Sequence, residues 1–321
     1  MRSALILVGH GSRDPEGVAG FRELIQKLQA RRPGGIIEGC FLEFAHPVVN
    51  EAIDLCVEQG ADEIVMVPGT LVAGGHAKND IPSEIHEARR RYPHLRFAAG
   101  KHLHIHPKIL ALCAQRIEEA EAKMQKTSGL SRKDTALLVV GRGTSDPDAN
   151  GDIHKIARML WEGLGFGWAE SAFSGVTVPL VPEALSRCVS LGFKRVLVLP
   201  YFLFTGVLEK RIRTDTAAVA LEFPAVEFYV THYLDSHPNI LEVFEERALQ
   251  AVTGSPNMNC ELCKYRVQMV GFEKDFGKPQ EAHHHHVRGI LAEQSHAHGD
   301  DHPHDHVHVS YEDVIELFGV R

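Results

Sequence analysis

Two histidines in glycine-rich turns, His10 in GHGS and His76 in GGHAKND, and a glutamate in CFLEF, Glu43, are the first residues able to do chemistry. Neutral imidazoles bind borderline divalent ions such as Co²⁺, Fe²⁺, Ni²⁺ and Zn²⁺, and a carboxylate adds a harder donor. Three protein donors leave coordination positions open for exchange. An imidazole also takes up a proton near neutral pH, so either histidine is equally a candidate base. The plain alternative is that the glycines serve tight turns and that GHGS is a phosphate-binding turn. No His-Glu-x-x-His or Asp-rich motif accompanies the pair, which weakens the case for a metal-dependent hydrolase.

The surrounding pattern brings these residues together. SALILVGHGS is a continuous apolar run entering a turn, as a buried parallel strand would be, and FRELIQKLQAR follows at helical spacing. IIEGCFLEF and DEIVMVPGTL read as further strands, PVVNEAIDLCVEQG and IPSEIHEARRRY as helices. RFAAGKHLHIHP reads as a fourth strand and KILALCAQRIEEAEAK as a closing helix. Alternating strands and helices predict an α/β domain with a mainly parallel sheet flanked by helices. In such sheets ligands bind beyond the carboxyl ends of the strands, where His10, Glu43 and His76 all fall.

The same unit occurs twice. At a spacing of 132, Gly9-His10-Gly11 meets Gly141-Arg142-Gly143, and Asp14-Pro15 meets Asp146-Pro147. Pro47, Glu51, Gly60, Pro68, Gly74 and Lys78 meet Pro179, Glu183, Gly192, Pro200, Gly206 and Lys210. The second copy carries matching strands at TALLVVGRG, ESAFSGVTV, RVLVLPYFL and VEFYVTHYL. It has Arg142, Gly175 and Leu208 where the first has His10, Glu43 and His76. Turn-forming residues persist while the three candidate ligands are lost, which favours a shared metal role over a turn role. The domains expected are 1–125, which carries the ligands, and 133–252, a degenerate repeat, joined by a polar linker from Gln125 to Asp134.

The remaining sequence, 253–321, lacks the apolar content for a third core and is expected to be a flexible tail. It holds Cys260 and Cys263 and ten of the chain's 21 histidines: His283, His284, His285, His286, His296, His298, His302, His304, His306 and His308. This tract is expected to act as an auxiliary metal store, which tilts the metal from iron toward cobalt, with nickel open. SYEDVIELFGV could close the chain as a short helix capped by Ser310. A formal charge of −8 argues against nucleic-acid binding. No apolar run is long enough for a membrane helix, no signal peptide is legible, and a cytoplasmic protein is expected.

LILVGHGSRDP, FLEFAHP and VPGTLVAGGHAKNDIP resemble the class II chelatases. That family includes the sirohydrochlorin cobaltochelatases of cobalamin synthesis and the ferrochelatases of sirohaem synthesis. The resemblance covers roughly residues 1 to 250 and is strongest with long forms, in which two chelatase-like domains are fused. It implies a macrocycle bound between the domains, with metal and catalytic positions at His10, His76 and Glu43. It implies a lyase that exchanges two protons of sirohydrochlorin for Co²⁺, with Fe²⁺ insertion or cobalt/nickel delivery as the alternatives. The polycarboxylate substrate would need cations, for which Arg13, Lys78, Arg142, Lys210, Arg211 and Arg213 are the candidates. Met258-Asn259-Cys260-Glu261-Leu262-Cys263 resembles the Met-x-Cys-x-x-Cys motif of long-form cobaltochelatases, which implies a 4Fe–4S centre. A redox-active thiol pair is the alternative reading. A second subunit would be one source of the missing cluster ligands, hence an expected homo-oligomer through the tail.

Overall fold

The computed structural model describes residues 2–124, 129–254, 265, 266, 268 and 273–278. Cys260, Cys263, the histidines from His283 to His308 and the expected helix after Ser310 lie outside the described residues.

Each half contains a four-stranded parallel sheet. The first has β1 (Ser3–Gly9), β2 (Ile36–Phe41), β3 (Glu63–Pro68) and β4 (Arg96–Ala99), in the order β2-β1-β3-β4. The second repeats it with β5 (Thr135–Gly141), β6 (Trp168–Phe173), β7 (Arg195–Pro200) and β8 (Glu227–Val230), in the order β6-β5-β7-β8. The central strands are apolar throughout because both their faces are covered. In β1, Ala4, Ile6 and Val8 face an outer core, while Leu5 and Leu7 face a central one. In β5, Ala136, Leu138 and Val140 face outward, and Leu137 and Val139 join that same central core.

Helices α1 (Pro15–Arg31), α2 (Val49–Glu58), α3 (Ile81–Arg91) and α4 (Pro107–Lys123) belong to the first half. Helices α5 (Pro147–Leu164), α6 (Val181–Ser190), α7 (Val207–Glu222) and α8 (Pro238–Thr253) belong to the second. The repeated Asp-Pro pairs begin helices: Asp14 accepts from the Glu16 N–H, and Asp146 from those of Asp148 and Ala149. Proline at the first helical position lacks an N–H that would be unsatisfied there anyway.

The last helix of each half crosses over. Helix α8 packs on β3, β4 and α1, and α4 packs on α5 and β7. Arg247 of α8 donates to the carbonyls of His102 and Leu103, at 3.1 and 2.7 Å. These bonds help hold Lys101 to His106 as a loop against β3, so the fourth strand, expected to run through His106, stops at Ala99. Leu103 and His104 donate instead to the carbonyls of Thr70 and Leu71. The exchange explains why one apolar core runs through both halves.

A second departure lies just after His76. Residues His76–Asp80 form a π-helical turn leading into α3, whereas the matching stretch of the second half runs as regular α7. Pro82 supplies a local reason: it has no N–H to give the Lys78 carbonyl, and its ring would crowd that carbonyl in a straight α-helix. The Lys78 carbonyl accepts instead from Arg266, at 3.1 Å. Thr214 stands at the position of Pro82 in the second half and imposes no such break.

Candidate functional site

The loops that follow β1 and β3 bring His10 and His76 together. Their rings meet edge to face, with centroids 4.5 Å apart and planes at 88°. The Nδ1 of His10 lies 3.1 Å from the Gly11 carbonyl, which can only accept. That atom therefore carries the proton, and Nε2 keeps its lone pair. His76 presents Nδ1 to the Asp80 carboxylate at 2.6 Å, and Asp80 is buried. In the neutral ring the same tautomer follows, with Nδ1 protonated and Nε2 the atom that can ligate. The π turn sets His76 and Asp80 on one face, four residues apart. Asp80 is a positioning residue that the sequence reading missed; its signal was a carboxylate one helical turn beyond a histidine.

Glu43 is tied to the same loops through its backbone, its N–H donating to the His10 carbonyl at 3.0 Å. Gly11, at φ +96°, makes this approach feasible, because a Cβ there would lie 1.8 Å from the Glu43 carbonyl oxygen. Among the described residues, Glu43 does not close with His10 and His76 into a group whose donor atoms all lie within 4.8 Å.

The six expected substrate cations divide. Lys78, expected at the cleft, is instead buried at 2% exposure and bonded to Asp146 at 2.8 Å and Asp148 at 2.9 Å. Desolvation alone would depress its pKa, but the two carboxylates outweigh it and the net shift is upward. Lys210 makes the reciprocal contact, reaching Asp14 at 2.8 Å and Glu16 at 2.9 Å. A pseudo-twofold relation is evident, since Lys78 matches Lys210 and Asp146 matches Asp14. Gly74 approaches Thr144 and Gly206 approaches Ser12 in the same reciprocal way. Arg211 donates to the Ser174 carbonyl, and Arg213 to Glu209 and the Thr231 carbonyl.

Arg13 and Arg142 are the more available pair. Arg13 is exposed and stacks over the Phe44 ring, 4.9 Å from its centroid. Arg142 keeps accessible surface and makes no hydrogen bond among the described residues. Desolvation by the surrounding protein lowers its guanidinium pKa, and the nearby Glu43 charge opposes that shift. A loop and a helix start of the second half also expose apolar side chains, Val176 at 69% and Val178 at 58% before α6, and Val207 at 56% at the start of α7. Sequence reasoning passed over these valines, which look like ordinary strand and helix residues. The arrangement offers two imidazole donors at one set of strand ends, with an arginine and exposed valines on the loops of the other half.

Among the described residues no helix is long and apolar enough to cross a membrane. The chain is 41% identical over 265 residues to a sirohydrochlorin cobaltochelatase of Priestia megaterium, spanning 82% of this chain and 85% of that one. A sirohydrochlorin ferrochelatase of the same organism is 30% identical over 254 residues, spanning 79% of this chain and 92% of that one. The crystal structure of the sirohydrochlorin chelatase SirB from Bacillus subtilis subspecies spizizenii, in complex with cobalt, superposes with a TM-score of 0.66 at 28% identity. It covers 79% of this chain and 97% of that one. The sequence pattern of the CbiX family matches twice, at residues 4–120 and 136–251, once on each half. With both repeats matched, the chain belongs to the CbiX family.

Proposed function

We propose that this protein is a sirohydrochlorin cobaltochelatase, inserting Co²⁺ into the tetrapyrrole with release of two protons, as cobalamin biosynthesis requires. The observation that carries the reading is the edge-to-face pair of His10 and His76, each with Nδ1 held by an oxygen acceptor, the Gly11 carbonyl and the Asp80 carboxylate. Its setting is a chain 41% identical to a cobaltochelatase.

In this reading the ion is substrate, and His10 and His76 hold it with exchangeable positions left open. Asp80 fixes the orientation of His76 through the short Nδ1 contact. Charge balance demands that two pyrrole protons leave as the dication enters. Glu43 and whichever imidazole releases the metal are the acceptors at hand. Arg142, assisted by Arg13, binds peripheral carboxylates of the ring, and the exposed valines of the second half meet its apolar face. The histidines from 283 to 308 serve metal supply. Iron insertion is the second reading, favoured by the ferrochelatase relative at 30% identity.

The test is to mix the protein with sirohydrochlorin and either Co²⁺ or Fe²⁺ and follow the absorption spectrum. Cobalt insertion faster than iron insertion is expected, and His10→Ala and His76→Ala should each remove most of it without lowering the melting temperature. Near-full turnover by either folded variant would overturn the site assignment, and faster iron insertion would overturn the metal.

A further inference from the structure

A second cluster of donors lies apart from the His10–His76 pair, where the two halves meet. His102 and His104 come from the loop after β4 in the first half, and Asp152 from α5 in the second. One ligand atom from each residue lies within 4.8 Å of the other two. His104 Nδ1 is 3.2 Å from the Asp152 carboxylate, and the two imidazoles stand 5.1 Å apart, centroid to centroid. His102 is 1% exposed, and neither of its ring nitrogens has a hydrogen-bond partner.

That last observation needs an explanation. Buried polar atoms are nearly always paired, and leaving one unpaired costs about 1–3 kcal/mol. Here both nitrogens of one ring are unpaired, and two buried hydroxyls nearby share the condition. Tyr201 is close enough to feel the Asp152 charge, and the Thr70 backbone carbonyl bonds to the N–H of Leu103. Burial keeps the His102 imidazole neutral, the form that donates a lone pair.

We propose that His102, His104 and Asp152 form a second site for a divalent transition ion, Co²⁺, Ni²⁺ or Zn²⁺, which clips the two halves together. Two imidazoles and a carboxylate are a suitable donor set for such ions. Donors at about 2.0–2.2 Å from a tetrahedral ion stand about 3.4 Å apart, close to the His104–Asp152 separation. The His102 ring nitrogen lies within 4.8 Å of both, so a small side-chain turn completes the triangle. On binding, the ion takes the place of the proton between His104 Nδ1 and Asp152. That proton leaves for solvent while Nε2 takes one up from solvent, so the ring stays neutral as the other tautomer and Nδ1 gives its lone pair to the ion. His104 is partly exposed, which gives the ion a way in. The site occurs once: from β4 onward the spacing is 131, Arg96 matching Glu227, so Tyr233 and Asp235 stand for His102 and His104, and Gly20 for Asp152.

The site does not depend on the chelatase reading, and its test can fail separately. Crystals of the full-length protein soaked in CoCl₂ are measured on both sides of the cobalt absorption edge. An anomalous peak bounded by His102, His104 and Asp152 is expected, distinct from any peak at His10 and His76. Asp152→Asn, nearly the same shape, should abolish the first peak and leave the second. In solution, Co²⁺ should raise the melting temperature of a His10→Ala/His76→Ala variant. Adding Asp152→Asn, or His104→Gln as an independent check, should raise the Co²⁺ needed for half the effect by about 100-fold. Absence of the peak, or a cobalt effect unchanged in both variants, would overturn the proposal.

Discussion

Replacing Lys78 by methionine tests whether this lysine holds the halves together or binds substrate. Its ammonium is bonded to Asp146 and Asp148, with side chains 2%, 1% and 10% exposed respectively. Methionine keeps much of the volume but strands two carboxylates in a poorly solvated place. Breaking a buried pair on one side costs about 3–5 kcal/mol, because the remaining charge is left uncompensated. For a folded unit of this size about 2 °C is lost per kcal/mol, so the melting temperature should fall by roughly 6–10 °C. A Lys78→Met/Asp148→Asn variant removes one of the stranded charges and should recover part of the loss. Lys210→Met, at the pseudo-symmetric position, should lower the melting temperature much less, since Lys210 is 48% exposed and water replaces its contacts. The assay is thermal unfolding of the three variants, with Michaelis constants for sirohydrochlorin measured on the same samples. A Lys78→Met protein that melts within about 1 °C of wild type but binds sirohydrochlorin poorly would refute the structural role. It would restore Lys78 to the substrate cleft.

Asp80→Asn keeps the shape but weakens the grip on His76, and insertion should slow by about 10–100-fold while folding is retained. Stopped-flow absorbance reads it, and an unchanged rate would remove Asp80 from the site. Arg142→Ala should raise the Michaelis constant for the tetrapyrrole by the loss of about 1.5–3 kcal/mol and leave that for the metal nearly unchanged. The opposite pattern in steady-state kinetics would reverse the roles of the two halves. Asp14 has its pKa lowered chiefly by its bond from Lys210, so its contribution to stability is full above its ordinary pKa and lost as pH falls through the folded value. Melting temperatures measured from pH 6 down to pH 2 should therefore drop less steeply for Asp14→Asn than for wild type, all of the difference arising below about pH 4.

Much of the fold was legible because duplication repeats each signal. Apolar runs ending in Gly-His-Gly and Gly-Arg-Gly gave the central strands, and the two Asp-Pro pairs marked where α1 and α5 begin. The meeting of His10 with His76 was legible from sheet logic alone, since parallel strands deliver their carboxyl ends to one edge. Most of what escaped depends on contacts between the copies; Asp80 escaped for a local reason, the π turn that sets it against His76. Matching Lys78 with Lys210 established that the positions are equivalent, but not that each lysine crosses to the aspartate of the other half. The exchange of α4 and α8 leaves no trace in periodicity, because a helix has the same apolar stripe whichever sheet it covers. His102 and His104 looked like strand residues until Arg247, from the distant α8, was seen holding their loop.

The duplication separates two demands that a single domain would have to meet with one set of residues. Much of what keeps the halves in register is reciprocal, from the paired lysines and aspartates to the contacts of Gly74 with Thr144 and Gly206 with Ser12. Everything offered to a metal is one-sided. His10 faces a copy that has arginine at its place, and His76 begins a π turn where the other copy has a plain helix. A π turn is a poorer conformation than the α-helix it interrupts, so its presence in only the ligand-bearing half calls for a local cause. Pro82 provides it, and the consequence is the placement of Asp80 against His76. Threonine at position 214 lets the second copy relax to the regular helix, which leaves that half free to carry cationic and apolar side chains on the same loops. On the proposed function, an ion held by one copy and a carboxylate-rimmed ring held by the other meet across an interface whose geometry neither ligand has to build.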